Sequence, residues 1–99
     1  MTAPRGVQDP RGRLIRFDAR GWAHIVDGHP DMAPHEDAIF AALAQPDHED
    51  RDERTGRKRY WRRGLGPSRW LVVVVEFEDE VGRVVTAFAS RKDPPWLRR

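Results

Sequence analysis

Apolar positions crowd most densely between Arg69 and Ser90, in RWLVVVVEFEDEVGRVVTAFAS. Two strands fit this run, Trp70 to Phe77 and Val81 to Ala89, joined by the acidic turn Glu78-Asp79-Glu80. The consecutive valines Val72 to Val75 suit a strand buried on both faces, which makes Trp70 to Phe77 the predicted centre of a sheet. Upstream, Lys58 to Arg63 (KRYWRR) reads as a further strand with Tyr60 and Trp61 on opposite faces, turned into the valine strand by Gly64-Leu65-Gly66-Pro67-Ser68. His48 to Gly56 is almost wholly charged and reads as an edge strand or loop.

The period changes nearer the N-terminus. Trp22, Ile25 and Val26 recur at helical spacing, with Asp18 as N-cap and Gly28-His29-Pro30 as stop, so a helix is predicted over 19–27. A second helix starts near Pro34, carries Glu36 and Asp37 in its first turn, and ends at Gln45-Pro46-Asp47. Leu14 to Phe17 is a short apolar segment, an edge strand or an arm laid on the core, and residues 1–13 read as a flexible arm. Trp96 and Leu97 are placed as a cap on the core. The sum is a single α+β domain over 14–97: two N-terminal helices packed on one face of a three- to four-stranded antiparallel meander, with the other face left open.

Composition narrows the chemistry. With 99 residues there is room for one core. No run approaches the roughly 18–20 apolar residues of a membrane helix, and MTAPRGVQDPRG lacks a signal-peptide core, so a cytoplasmic protein with no membrane partner is expected. Cysteine is absent, which removes disulfides, thiolate nucleophiles and cysteine-ligated metals. The formal net charge is only +2, but basic residues concentrate between Arg51 and Arg69 around Tyr60 and Trp61. Alternating cations and aromatics suit RNA, with rings stacking on bases and guanidinium groups on phosphates; equally, Lys and Arg guard edge strands against aggregation.

The histidines are His24, His29, His35 and His48, and their spacing is not that of a metal site, so neither metal nor cofactor is expected. Acid–base chemistry remains open to them, because imidazole titrates nearest neutrality. His29 lies in a loop positioned by a helix, His24 is either a packing residue or a functional one, and His35 and His48 read as surface groups. Thr86 is the polar residue of an apolar strand. It either replaces a valine in the core or, on the same face as Arg62 or Arg63, orients a phosphate or ribose hydroxyl, with Ser90 and Arg91 close by.

The order HIVDGHPDM, a helix ending ALAQPD, RKRYWRR, WLVVVVEF and VVTAFAS resembles the small phage-associated nucleases of the barnase, EndoU, colicin and RelE-like (BECR) class. The resemblance covers about residues 14 to 90. Asp31 stands where many relatives have glutamate, and Gln45 where asparagine is usual. It implies a RelE/BECR-like fold and a metal-independent endoribonuclease, a toxin held by an acidic antitoxin or immunity protein, acting on tRNA, mRNA or rRNA. Carried over by position, the resemblance implies His24, His29, Tyr60, Arg62 and Thr86 as site residues, with His24, His29, Arg62 and Thr86 catalytic and Tyr60 positioning RNA; the alternation of cations and aromatics adds Lys58, Trp61 and Arg63, and the end of the last strand Arg91, to the RNA-binding set. A non-catalytic RNA-binding or protein-interaction domain on the same fold is the alternative.

Overall fold

The computed structural model describes residues 5–94 and Leu97. Trp96 and the first four residues of the expected arm lie outside them. Strand β1 (Arg5–Gln8) and β2 (Leu14–Phe17) form an antiparallel hairpin, followed by α1 (Ala19–Gly28), a single 3₁₀ turn (Pro30–Met32) and α2 (Glu36–Ala44). Four more strands follow: β3 (His48–Arg51), β4 (Lys58–Arg63), β5 (Trp70–Glu78) and β6 (Val81–Ser90). They make one six-stranded sheet in the order β1-β2-β6-β5-β4-β3. Among the described residues no helix is long and apolar enough to cross a membrane.

The α+β class, the two N-terminal helices and the central valine strand agree with the sequence reading, whereas the three- to four-stranded antiparallel sheet does not. The sheet has six strands and is mixed, because Leu14–Arg16 pairs in parallel with Val81–Arg83. The Pro-Gly-Arg composition of residues 9–13, read as part of an arm, is the turn of a hairpin. Asp9 closes it by accepting the backbone N–H groups of Arg11 (3.0 Å) and Arg13 (2.9 Å), and Gly12 supplies the φ of +82°. Alternation then turns Val7, Ile15 and Phe17 toward the helices.

Asp18 caps α1 by accepting the Gly21 N–H at 2.8 Å, and the helix closes where the His29 N–H donates to the Ile25 carbonyl at 2.7 Å. Helix α2 begins at Glu36, two residues beyond Pro34, with His35 at its N-cap. It covers β5, β4 and β1, while α1 lies along β6. The core between helices and sheet contains Ile15, Phe17, Ile25, Met32, Ile39, Leu43, Tyr60, Leu71, Val73 and Val75. A smaller cluster of Trp61, Trp70 and Val72, joined by Val74, Phe88 and Leu97, lies apart from it.

One irregularity decides which residues of β6 face outward. Val75 pairs with Val84 but Val74 pairs with Thr86, so Val85 is an extra residue, a β-bulge. Before the bulge the even positions Gly82 and Val84 pair with inward-facing Phe77 and Val75. After it the odd positions Ala87 and Ala89 pair with inward-facing Val73 and Leu71.

Candidate functional site

Directly paired residues on neighbouring strands share a face, so the registers define row by row the side of the sheet that the helices leave open, part of which is closed over buried Trp61, Trp70 and Val72. One row runs Thr86, Val74, Arg59 and Asp50; the next runs Phe88, Val72, Trp61 and His48; a third holds Ser90, Trp70 and Arg63. Thr86 therefore lies on the open face, partly exposed, with Phe88 next to it along the strand.

Past Arg83, where β2 stops pairing, α1 takes the flank of β6. His29, immediately beyond the helix end, sets its ring 5.9 Å from that of Phe88, at an interplanar angle of 35°. His24, exposed on α1, lines a cleft of about 930 Å³ whose other walls include Arg16, Arg20, Arg83 and Val85. From His24 to His29 the chain rises about 7.5 Å at helical pitch, and from Val85 to Phe88 about 10 Å at strand pitch. The two histidines thus bracket the segment of β6 that contains Thr86.

Much of the remaining charge on this face is already engaged. Asp50 accepts Arg59 Nε (2.8 Å), Arg59 Nη2 (2.6 Å) and Trp61 Nε1 (2.9 Å). Burial pushes the Asp50 carboxyl upward, but the bonds from Arg59 and Trp61 outweigh it and hold its pKa below the ordinary value. The reciprocal bond from Asp50 raises that of Arg59. Asp93, after β6, accepts Trp70 Nε1 and Arg69 Nη1, each at 3.2 Å, and these bonds lower its pKa. Leu97 packs on the tryptophan cluster beyond it.

Several residues singled out from the sequence lie elsewhere. Tyr60 is fully buried on the helix-covered face, where its hydroxyl donates to Asp9 Oδ2 at 2.8 Å, so its ring has no surface on which a base could stack. Burial, followed by the bond to Asp9, raises the Tyr60 pKa far above its usual value. Lys58 shares that face, only 6 % exposed, with Nζ 2.7 Å from Glu49 Oε1. Arg62 pairs with the inward-facing Leu71, and its guanidinium donates to the Gln45 carbonyl at the end of α2. It is thus on the opposite side of the sheet from Thr86.

Trp61 faces the open side but is 6 % exposed within its cluster. Arg63 and Arg91 are exposed, with the Arg63 guanidinium 5.5 Å above the Trp70 ring. Asp31 is exposed in the 3₁₀ turn. The structure thus sets His29 against Phe88 and His24 on a cleft that also includes Val85, places Thr86 on the sheet face away from the helices, leaves Arg63 and Arg91 on the surface, and draws Lys58, Tyr60 and Arg62 to the other face. Arg16 and Arg83 escaped notice because their signal is a register: each alternates with inward residues on its own strand, but only pairing brings them together. Among the described residues no group of three or more His, Asp or Glu side chains is arranged to hold a metal ion. No protein-family model, curated protein or solved structure matches the chain.

Proposed function

We propose that the chain is a metal-independent endoribonuclease with a BECR-like fold, cleaving RNA by attack of a 2'-hydroxyl on the adjacent phosphate. The observation that carries this reading is the approach of His29 to Phe88, one open-face position from Thr86, with His24 on the adjoining cleft. The reaction needs a base to take the 2'-hydroxyl proton and an acid to protonate the departing 5'-oxygen. His24 and His29 fill these roles as a pair. Thr86 offers its hydroxyl to ribose or phosphate, and Phe88 offers a partly exposed ring. The products are a 2',3'-cyclic phosphate and a free 5'-hydroxyl, so the proton removed by one histidine is balanced by the proton given by the other.

The resemblance extends the proposal to a cytoplasmic toxin restrained by an acidic antitoxin or immunity protein, for which exposed Arg63 and Arg91 are suitable contacts. The test is incubation of the purified chain with total RNA and tRNA in EDTA, beside His24→Ala and His29→Ala. Cleavage in chelator with cyclic-phosphate ends is expected, falling about 10²-fold or more in each variant. His29→Ala leaves the backbone cap to Ile25 in place, so its circular dichroism should match the parent. RNA left intact by the parent chain would sink the nuclease reading and favour a non-catalytic binding domain.

A further inference from the structure

Arg16 and Arg83 stand directly opposite each other in the parallel pairing of β2 with β6, both exposed on the open face. Like charges at directly paired positions repel and cost stability. The local carboxylates compensate poorly. Arg83 Nη2 lies 3.6 Å from Glu76, whose carboxylate already takes Arg57 Nε at 2.9 Å. Asp18 is occupied as the N-cap of α1. Among the described residues neither Arg16 nor Arg20 has an ion pair. Asp18, Glu76 and Glu78 thus match the three arginines of the cleft in number, but two of these carboxylates are already engaged.

We infer that this cleft binds a backbone phosphate of single-stranded RNA, held between Arg16 and Arg83 with Arg20 beside them. The single negative charge of a bound phosphodiester, placed between the two cations, offsets part of their repulsion, and a guanidinium presents two donors to an anion of this kind. The ligand's identity as RNA rests on the nuclease reading above. From Arg83 to Phe88 the strand advances only four partner positions on β5, Glu76 to Val72, because of the bulge, or roughly 13 Å at strand pitch, still longer than one phosphodiester link. The cleft therefore takes a phosphate on one side of the cleaved position, and the substrate is an extended strand rather than a single nucleotide.

The experiment measures fluorescence anisotropy of a labelled 2'-O-methyl oligonucleotide, which lacks the attacking hydroxyl, over a series of salt concentrations. The double variant Arg16→Gln/Arg83→Gln should bind at least about tenfold more weakly, and its log–log salt slope should be shallower by roughly 0.7 for each phosphate it no longer neutralises. Its Tm should be unchanged or slightly higher, because a repulsion is removed. Arg54→Gln, in the distant β3–β4 turn, should leave affinity unchanged. Equal affinity of the double variant and the parent, an equal loss in Arg54→Gln, or no binding by the parent overturns the inference. If the parent binds but does not cleave unmodified RNA, the nuclease reading fails while the subsite stands; if it cleaves and the double variant binds equally well, the reverse holds.

Discussion

Replacing Tyr60 with phenylalanine deletes one buried oxygen and nothing else, which makes it a clean measure of the tie between the β1–β2 turn and the sheet. The hydroxyl donates to Asp9 Oδ2 at 2.8 Å, and the Asp9 side chain, itself fully buried, also accepts Arg11 N, Arg13 N and Arg13 Nε at 3.0, 2.9 and 3.0 Å. The phenyl ring fits the same space, so no cavity larger than the lost oxygen forms. A hydrogen bond to a charged group contributes about 1.5–3 kcal/mol. Against a typical 5–15 kcal/mol for a small domain this is a large fraction. At about 4–8 °C per kcal/mol for a domain of this size, the melting temperature should fall by roughly 6–24 °C. Tryptophan fluorescence during thermal and urea unfolding reads the change, and a melting temperature within about 2 °C of the parent would refute the argument.

The same pair gives the change a pH signature. The folded-state pKa of Tyr60 is raised above its ordinary value of 10.0, first by burial and then by the bond to Asp9, so its contribution is complete below pH 10 and is lost as pH climbs beyond it. Tyr60→Phe should lack that alkaline loss. For Asp9, burial pushes the pKa up, but the bonds from the Arg13 backbone, Tyr60 and the Arg13 side chain outweigh it and hold the value below 3.8. The stability from this carboxylate is therefore present above pH 3.8 and lost as pH falls below it. The acid limb should be shallower in Tyr60→Phe, since one bond favouring the ionised form is gone.

Gly82→Ala should destabilise the fold by about 1–3 kcal/mol, because the added methyl would sit 2.8 Å from Val75 Cγ1 and 2.9 Å from Phe77 Cε1 at a buried position. An unchanged urea midpoint would contradict that crowding. Arg62→Ala removes the donor to the Gln45 carbonyl at the end of α2 and should cost under about 1 kcal/mol, with RNA affinity unaffected. A tenfold loss of affinity would mean that Arg62 touches RNA after all.

Local pattern was enough for the elements whose signals are local. The valine run, the Asp18 cap, the Gly-His-Pro stop and the glycine turn at Gly64, whose φ is +80°, all appear where their chemistry places them. The β1–β2 hairpin was obscured because its turn residues are also those of a loose arm, and its membership of the sheet depends on a parallel pairing with β6 from the far end of the chain. Alternation correctly separated Tyr60 from Trp61. It does not say which side the helices cover, and that sends Tyr60 and Lys58 into contact with Asp9 and Glu49. His24, His29 and Thr86 stand out in the sequence as residue types, but which parts of β6 the two histidines approach depends on α1 lying along that strand.

The extra residue in β6 makes the length of the strand, as much as its composition, a determinant of the surface. Were this same sequence to alternate without interruption from Val84 onward, Thr86 and Phe88 would turn into the helix-packed core and Ala87 and Ala89 outward. Every side chain of the strand's second half would then be misassigned without a single one having been replaced. Substitutions at Val85 leave the parity intact, and so does its removal, which would set Val84 and Thr86 side by side on a regular ladder opposite Val75 and Val74. A residue gained or lost elsewhere in that half would instead invert the surface that His29 meets, unless the bulge moved to absorb it. The bulge is thus a reading-frame marker for the face of the protein: a homologous chain with the same surface either keeps it or is one residue shorter there.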